Sequence, residues 1–231
     1  MRSLVLILTG ALLAGCTAGT APPGPQAAPA LLLVGASSFA DVAARVEPVA
    51  EALCRERGRT ARCNFRIVID TRPDQPPNAF QTLDRAGRPI LGFTLALLAD
   101  ARNPDELAFV MGHEASHHIL GHIPQRAEQA MSGAVLAAIL AAAAGVDEAG
   151  IAEAQRVGAE LAARQFSKEF ELQADNLGTE ITLRAGFDAV RGSAFFDRLP
   201  DPGDQFLGSH PSNADRKALI RAAQSRLLAG G

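Results

Sequence analysis

His113-Glu114-Ala115-Ser116-His117 sets two imidazoles four residues apart with a carboxylate between them. On a helix such a pair shares one face, so His113 and His117 can bind one zinc ion (Zn2+) through neutral ring nitrogens. Glu114, about 100° further round, can then reach a water on that ion. This is the apparatus of metal-assisted peptide hydrolysis. A pattern this short also arises by accident, usually on a solvated face. Here it lies in an apolar segment, where two buried histidines beside a glutamate are costly unless something satisfies them. A third ligand has to come from elsewhere. Glu171 and Asp175, again four apart, offer one carboxylate to complete a His-His-Glu site and another to hydrogen-bond a ligand imidazole. Taken alone, that acidic pair reads as a solvated helix face.

The elements that must hold these groups can be read outward from the histidines. Asn103 is placed to cap a helix with Pro104 at its first position, and Leu107 to Met111 carry it through His113 and His117 until Gly121 and Pro124 stop it. His118 points off the ligand face and reads as a packing or surface residue. His122 follows His117 by five residues rather than six, and Leu120 stands where a metzincin has glycine, which excludes that class. Ala134 to Gly145 is almost purely aliphatic but too short to span a bilayer. It is expected as a buried or lid-like helix, with a membrane-touching or partner-binding helix as the alternative. Helix continues from Glu148 to Phe170.

Before the histidines, Leu31 to Arg57 reads as helix with Val42, Val46, Val49 and Leu53 on its buried face and Pro48 as a kink or a break. Cys54 and Cys63 bracket a short basic loop and are either a disulfide or two free thiols. Phe65 to Asp70, Asn78 to Leu83 and Pro89 to Phe93 read as three strands of a small antiparallel sheet, with Asp84 to Arg88 as a hairpin turn. The strand at Asn78, Ala79 and Phe80 is either a substrate-pairing edge or an ordinary core hairpin. The fold class is therefore α+β, mainly helical.

The chain has 231 residues, 48% of them apolar and 20% charged, enough for one domain with a sizeable core. A net charge of -3 with scattered Lys and Arg argues against a nucleic-acid partner. Arg2, an apolar Leu4 to Leu13 and Leu13-Ala14-Gly15 before Cys16 resemble a bacterial lipoprotein signal. The resemblance implies a signal over 1–15, lipid on Cys16 and a Pro/Ala-rich tether over 16–35, leaving a domain over 36–231. Thr17 after the cysteine does not resemble an inner-membrane retention signal, which points to the outer membrane facing the periplasm.

Four features occur in one order: Pro77-Asn78-Ala79-Phe80 before a strand, His113-Glu114-x-x-His117, Glu171-x-x-Ala174-Asp175-x-x-Gly178, and Ser209-His210-Pro211 with Arg216 five residues after the proline. Together they resemble peptidase family forty-eight, the HtpX-like, Oma-like and CAAX-prenyl-protease-like gluzincins, over roughly residues 40 to 225. The resemblance implies a zincin-like domain with one zinc on His113, His117 and Glu171. It implies acid/base work by Glu114, orientation of a ligand histidine by Asp175, and His210 near the metal, either stabilising an oxyanion or blocking the site at rest. Lys168 departs from the usual arginine, and Ala115-Ser116 from the commoner Ile-Gly or Ile-Ala. The implied activity is zinc-dependent endopeptidase in envelope protein quality control, with polypeptide substrates and an unidentified protein partner allowed for. The alternative is a zinc-stabilised lipoprotein assembly factor or chaperone-like binding module with little or no proteolysis.

Overall fold

The computed structural model describes residues 30–57, 62–199 and 211–230, leaving aside the side chains of 30–37 and 164–166. Within these residues the order is α1 (Ala30–Arg57), β1 (Arg66–Asp70), β2 (Ala79–Leu83), β3 (Pro89–Thr94), α2 (Leu95–Asp100), α3 (Pro104–Ile119), α4 (His122–Ala143), α5 (Glu148–Arg184), α6 (Ala189–Gly192), a 3₁₀ turn (Ser193–Arg198) and α7 (Asn213–Ala229). The signal region, Cys16, the tether up to residue 29 and His210 lie outside the described residues, whereas 30–35, expected as tether, form the start of α1. No helix among those described is long and apolar enough to cross a membrane.

α3 is the centre of the fold and packs against both α1 and α5. Asn103 caps it by accepting from the Glu106 N–H, and Pro104 takes the first turn, where its missing N–H costs nothing. The buried Glu106 carboxylate also accepts from Arg102 N and pairs with both terminal nitrogens of Arg198, which fixes the start of α3 against the 3₁₀ turn. α1 runs unbroken through Pro48 and buries Phe39, Val42, Val46 and Leu53. These meet Leu91 and Phe93 of β3, Leu107 and Met111 of α3, and Leu177 and Ile181 of α5 in one core. The sulfurs of Cys54 and Cys63 sit 1.96 Å apart in disulfide geometry, tying the end of α1 to the approach to β1.

The three strands do not form the fully antiparallel sheet expected from the sequence. Their order is β1-β3-β2, with β2 antiparallel to β3 but β1 parallel to it. The Asp84 to Arg88 turn reverses the chain as anticipated, with Gly87 at φ 76° and the Asp84 carboxylate accepting from Ala86 and Arg88 N–H groups. The segment after β1, with Pro73, Pro76 and Pro77, offers too few N–H groups for a tight hairpin. The chain instead crosses over, and β3 inserts between its predecessors.

Two further expectations changed. Pro124 does not stop α3; Gly121, at φ 72°, ends it alone, and Pro124 lies in the first turn of α4. The aliphatic stretch within α4 is not buried: Val135, Leu136, Ile139 and Leu140 are each more than half exposed. α4 packs along α5 through small residues, since a Cβ on Gly133 would stand 2.3 Å from the Gly158 carbonyl oxygen. The seam therefore takes up glycine and alanine and leaves the large aliphatics outside.

Candidate metal centre

α3 and α5 cross so closely that a Cβ on Gly178 would lie 2.9 Å from His113 N. That approach brings Glu171 and Asp175 back to His113 and His117 across the intervening hairpin. The two histidine Nε2 atoms stand 3.1 Å apart, His113 Nε2 lies 3.5 Å from Glu171 Oε2, and His117 Nε2 lies 3.4 Å from Glu171 Oε1. Ligands about 2.0–2.1 Å from a tetrahedral metal are separated by about 3.3–3.4 Å, so the three donor atoms already trace one face of such a site.

The outer hydrogen bonds fix which nitrogens face the site. Asp175 is ionised: burial opposes this, but two hydrogen bonds from Arg216, each 2.7 Å, and one from His113 hold its carboxyl below the usual range. A carboxylate only accepts, so His113 Nδ1, 2.9 Å away, carries a proton, and Nε2 is the nitrogen left to face a metal. On the other side, Gln173 gives its amide N–H to Glu169 Oε1 at 2.9 Å and so presents its oxygen to His122 Nε2 at 3.2 Å. Burial first, and the neighbouring His117 next, push His122 down to about 4, which leaves it neutral with a bare Nδ1. His117 Nδ1 therefore donates to it at 2.9 Å, which turns His117 Nε2 toward His113 and Glu171. Two ring nitrogens and a carboxylate thus converge on one point, where a shared proton or a cation can sit between them. For His113, burial disfavours the charged ring, yet Asp175 and Glu171 outweigh it and raise the imidazole to about 10, which shows how strongly this spot holds positive charge. The donor set fits a divalent metal ion.

Glu114 stands beside this group and lines the same cleft, a cavity of about 480 Å³. Burial is the main reason its carboxyl is raised; the two histidines partly offset it. Asn78, Ala79 and Phe80 line the same cleft. Their position depends on Thr94, whose hydroxyl donates to Pro76 O and accepts from Asn78 N. The Phe80 ring lies over Gly92, where any Cβ would clash with it at 2.2 Å.

Three contributors had no role assigned from sequence. Arg216, recognised only as part of a motif, clamps Asp175 from α7 and lies 4.1 Å over the Phe196 ring. His122 was considered only as a metzincin ligand, yet the left-handed turn at Gly121 swings it back against His117, where Phe170 stacks on it at 4.4 Å. Gly178 provides the close helix crossing. Its fixed spacing from Glu171 is the one signal that pointed to it. His118 is a packing residue, its Nε2 2.7 Å from Arg62 O and its ring edge-on to Phe65.

Residues 38–224 match Peptidase family M48. The chain belongs to this family. Among curated relatives, it is 28% identical over 134 residues to Metalloprotease LoiP of Escherichia coli, covering 55% of this chain and 53% of that protein. It is 30% identical over 137 residues to a Putative beta-barrel assembly-enhancing protease of Vibrio cholerae, covering 52% of this chain and 28% of that one. It is 27% identical over 138 residues to Mitochondrial metalloendopeptidase OMA1 of Arabidopsis thaliana, covering 58% and 27%. The match to each relative thus spans about half of its length or less. Membership in M48 accords with a His113, His117, Glu171 metal site and with the mainly helical domain around a small sheet.

Proposed function

We propose that this M48 member is a zinc-dependent endopeptidase. The observation that carries the reading is the convergence of His113, His117 and Glu171 on one point, with their outer nitrogens and carboxylates already committed to Asp175, Arg216 and His122. A bound zinc supplies Lewis acidity that polarises a carbonyl and acidifies water. Glu114, with its raised carboxyl, accepts the proton of the attacking water and returns it to the leaving amine nitrogen. Asp175, locked by Arg216, keeps the His113 Nδ1 proton in place so that Nε2 stays available. β2 is an edge strand of the sheet and lines the cleft, which suits it to pair with an extended substrate backbone through Asn78, Ala79 and Phe80.

The reading extends to location and substrate. The lipoprotein-like signal before Cys16, together with a relative described as a beta-barrel assembly-enhancing protease, supports an envelope protein anchored by lipid and acting on polypeptides there. The carboxylate at Glu114 gives the direct test. Glu114→Gln should retain stoichiometric zinc by elemental analysis while cleavage of an unfolded protein falls at least about a hundredfold. An unchanged cleavage rate in the zinc-loaded variant would remove Glu114 from the mechanism, and absence of zinc from the wild type would remove the metal.

A further inference from the structure

We propose that the outer face of the α4/α5 hairpin is an exosite that holds an apolar, positively charged segment of a non-native polypeptide while another part of the same chain lies in the cleft. The occupant rests on the endopeptidase reading; the surface itself does not. Met131, Val135, Leu136, Ile139 and Leu140 are 53–70% exposed on α4, and Val157 and Leu161 of α5 are about half exposed. Such a concentration of large aliphatics on water is a binding feature rather than ordinary surface. The hairpin does not need these residues for its own cohesion, because its seam is closed by Gly133 and Gly158 with Ala137 and Ala162.

Two observations choose the occupant. The apolar row is continuous with the cleft: Ile123, 42% exposed, lines the metal-site cavity and is followed on α4 by Met131, Val135 and Ile139 at steps of eight, four and four. Beyond Arg126, which lies at the cleft, the charge beside the row has one sign. Residues 127–155 contain no Lys or Arg, while Glu128, Asp147 and Glu148 are exposed beside it. The next basic residue, Arg156, is held by Glu153 and Glu160. Helices that lie on anionic bilayers carry lysine and arginine along their flanks, so this face is ill matched to a membrane and matched to apolar segments bearing basic side chains. From Ile123 to Leu140 the helix runs about 25 Å, so a substrate has to extend roughly eight residues beyond the cleft to reach the far end.

The test uses the full chain carrying Glu114→Gln, which separates binding from hydrolysis, and three fluorescent 25-residue unfolded peptides: apolar with lysines, apolar with glutamates, and polar. The lysine peptide should bind at least about tenfold more tightly than either other peptide, an advantage over the glutamate peptide that salt erodes. Adding Val135→Gln, Ile139→Gln and Leu140→Gln should weaken it by about tenfold. In the Glu114 enzyme the same three changes should lower kcat/KM for β-casein relative to a six-residue peptide confined to the cleft. Equal binding of all three peptides would overturn the proposal, and so would undiminished binding by the triply substituted chain. Tight binding to phosphatidylethanolamine/phosphatidylglycerol vesicles without peptide binding would assign the face to lipid instead. Loss of a dimer on substitution, without loss of peptide binding, would assign it to a second copy. If no peptide is cleaved yet the lysine peptide binds as expected, the endopeptidase reading fails and the exosite stands. The wild-type peptide comparison needs no altered hairpin, so misfolding of the triple variant leaves the question decidable.

Discussion

The two ends of α5 solve opposite problems. Around Asp175 the helix buries polar groups, with Asp175, Thr179 and Thr182 fully inside; around Val157 it exposes apolar ones. Both ends use glycine to meet a partner helix, Gly178 against α3 and Gly158 against α4. At the inner end the close approach brings ligands and charges within hydrogen-bond reach, and every polar group there has a counterpart: Arg216 for Asp175, the Asp175 backbone carbonyl for the Thr179 hydroxyl, the Gly178 carbonyl for Thr182. At the outer end the same close approach shuts out large side chains, which are then left facing outward. Backbone proximity is therefore common to both. What sets them apart is whether the side chains round the crossing are satisfied inside the protein or available to something outside it.

If this contrast is correct, substitutions at the inner end should be far more damaging than those at the outer end. The largest effect should come from Asp175→Asn. It would remove the charge facing Arg216, leave Glu171 at 3.4 Å as its nearest carboxylate, and put an amide N–H where Arg216 or His113 needs an acceptor. Stripping one partner from a buried pair costs about 3–5 kcal/mol, and losing a carboxylate behind a metal histidine costs about 10–100-fold in metal affinity. Chemical denaturation with a zinc titration would measure both; a loss below about 1 kcal/mol would show that Asp175 and Arg216 are not coupled as their geometry indicates. Next in size is Gly178→Ala. The new methyl meets backbone at 2.9 Å, which α3 cannot yield without moving His113, so a loss of about 1–3 kcal/mol should accompany weaker zinc binding. Gly158→Ala meets a carbonyl at 2.5 Å and should also destabilise, but it should leave zinc affinity within about twofold because no ligand sits at that crossing. Equal zinc affinities in the two alanine variants would erase the distinction between the ends.

The same contrast explains what could be read from the sequence. The candidate ligand cluster was legible because metal chemistry demands particular residue types at helical spacing, and the cap at Asn103 and Pro104 because helix starts have local chemistry. His122 was not legible, since its place beside His117 depends on the left-handed turn at Gly121 rather than on any helical period. Arg216 could be seen as a motif residue, but its partner lies 41 positions away and only packing of α7 on α5 joins them. The parallel pairing of β1 with β3 was hidden for a similar reason: three strands separated by turns look alike whichever neighbour each one finds. Burial of the α4 face was expected because an aliphatic run normally marks it, and nothing local announces that glycine and alanine would take the seam.

The smallest effect should be the most telling. Ile139→Gln removes one of the most exposed aliphatics of α4, 60% open to solvent, and glutamine favours helix at least as well as isoleucine. If the side chain contributes to folding only what its exposure suggests, the melting free energy should change by less than about 0.5 kcal/mol, zinc affinity should not move, and the chain should become more soluble. A loss above about 1.5 kcal/mol would mean that the residue is buried in the folded protein after all. The outer end of α5 would then be a second core, and the division of this helix into a satisfied half and an available half would fail.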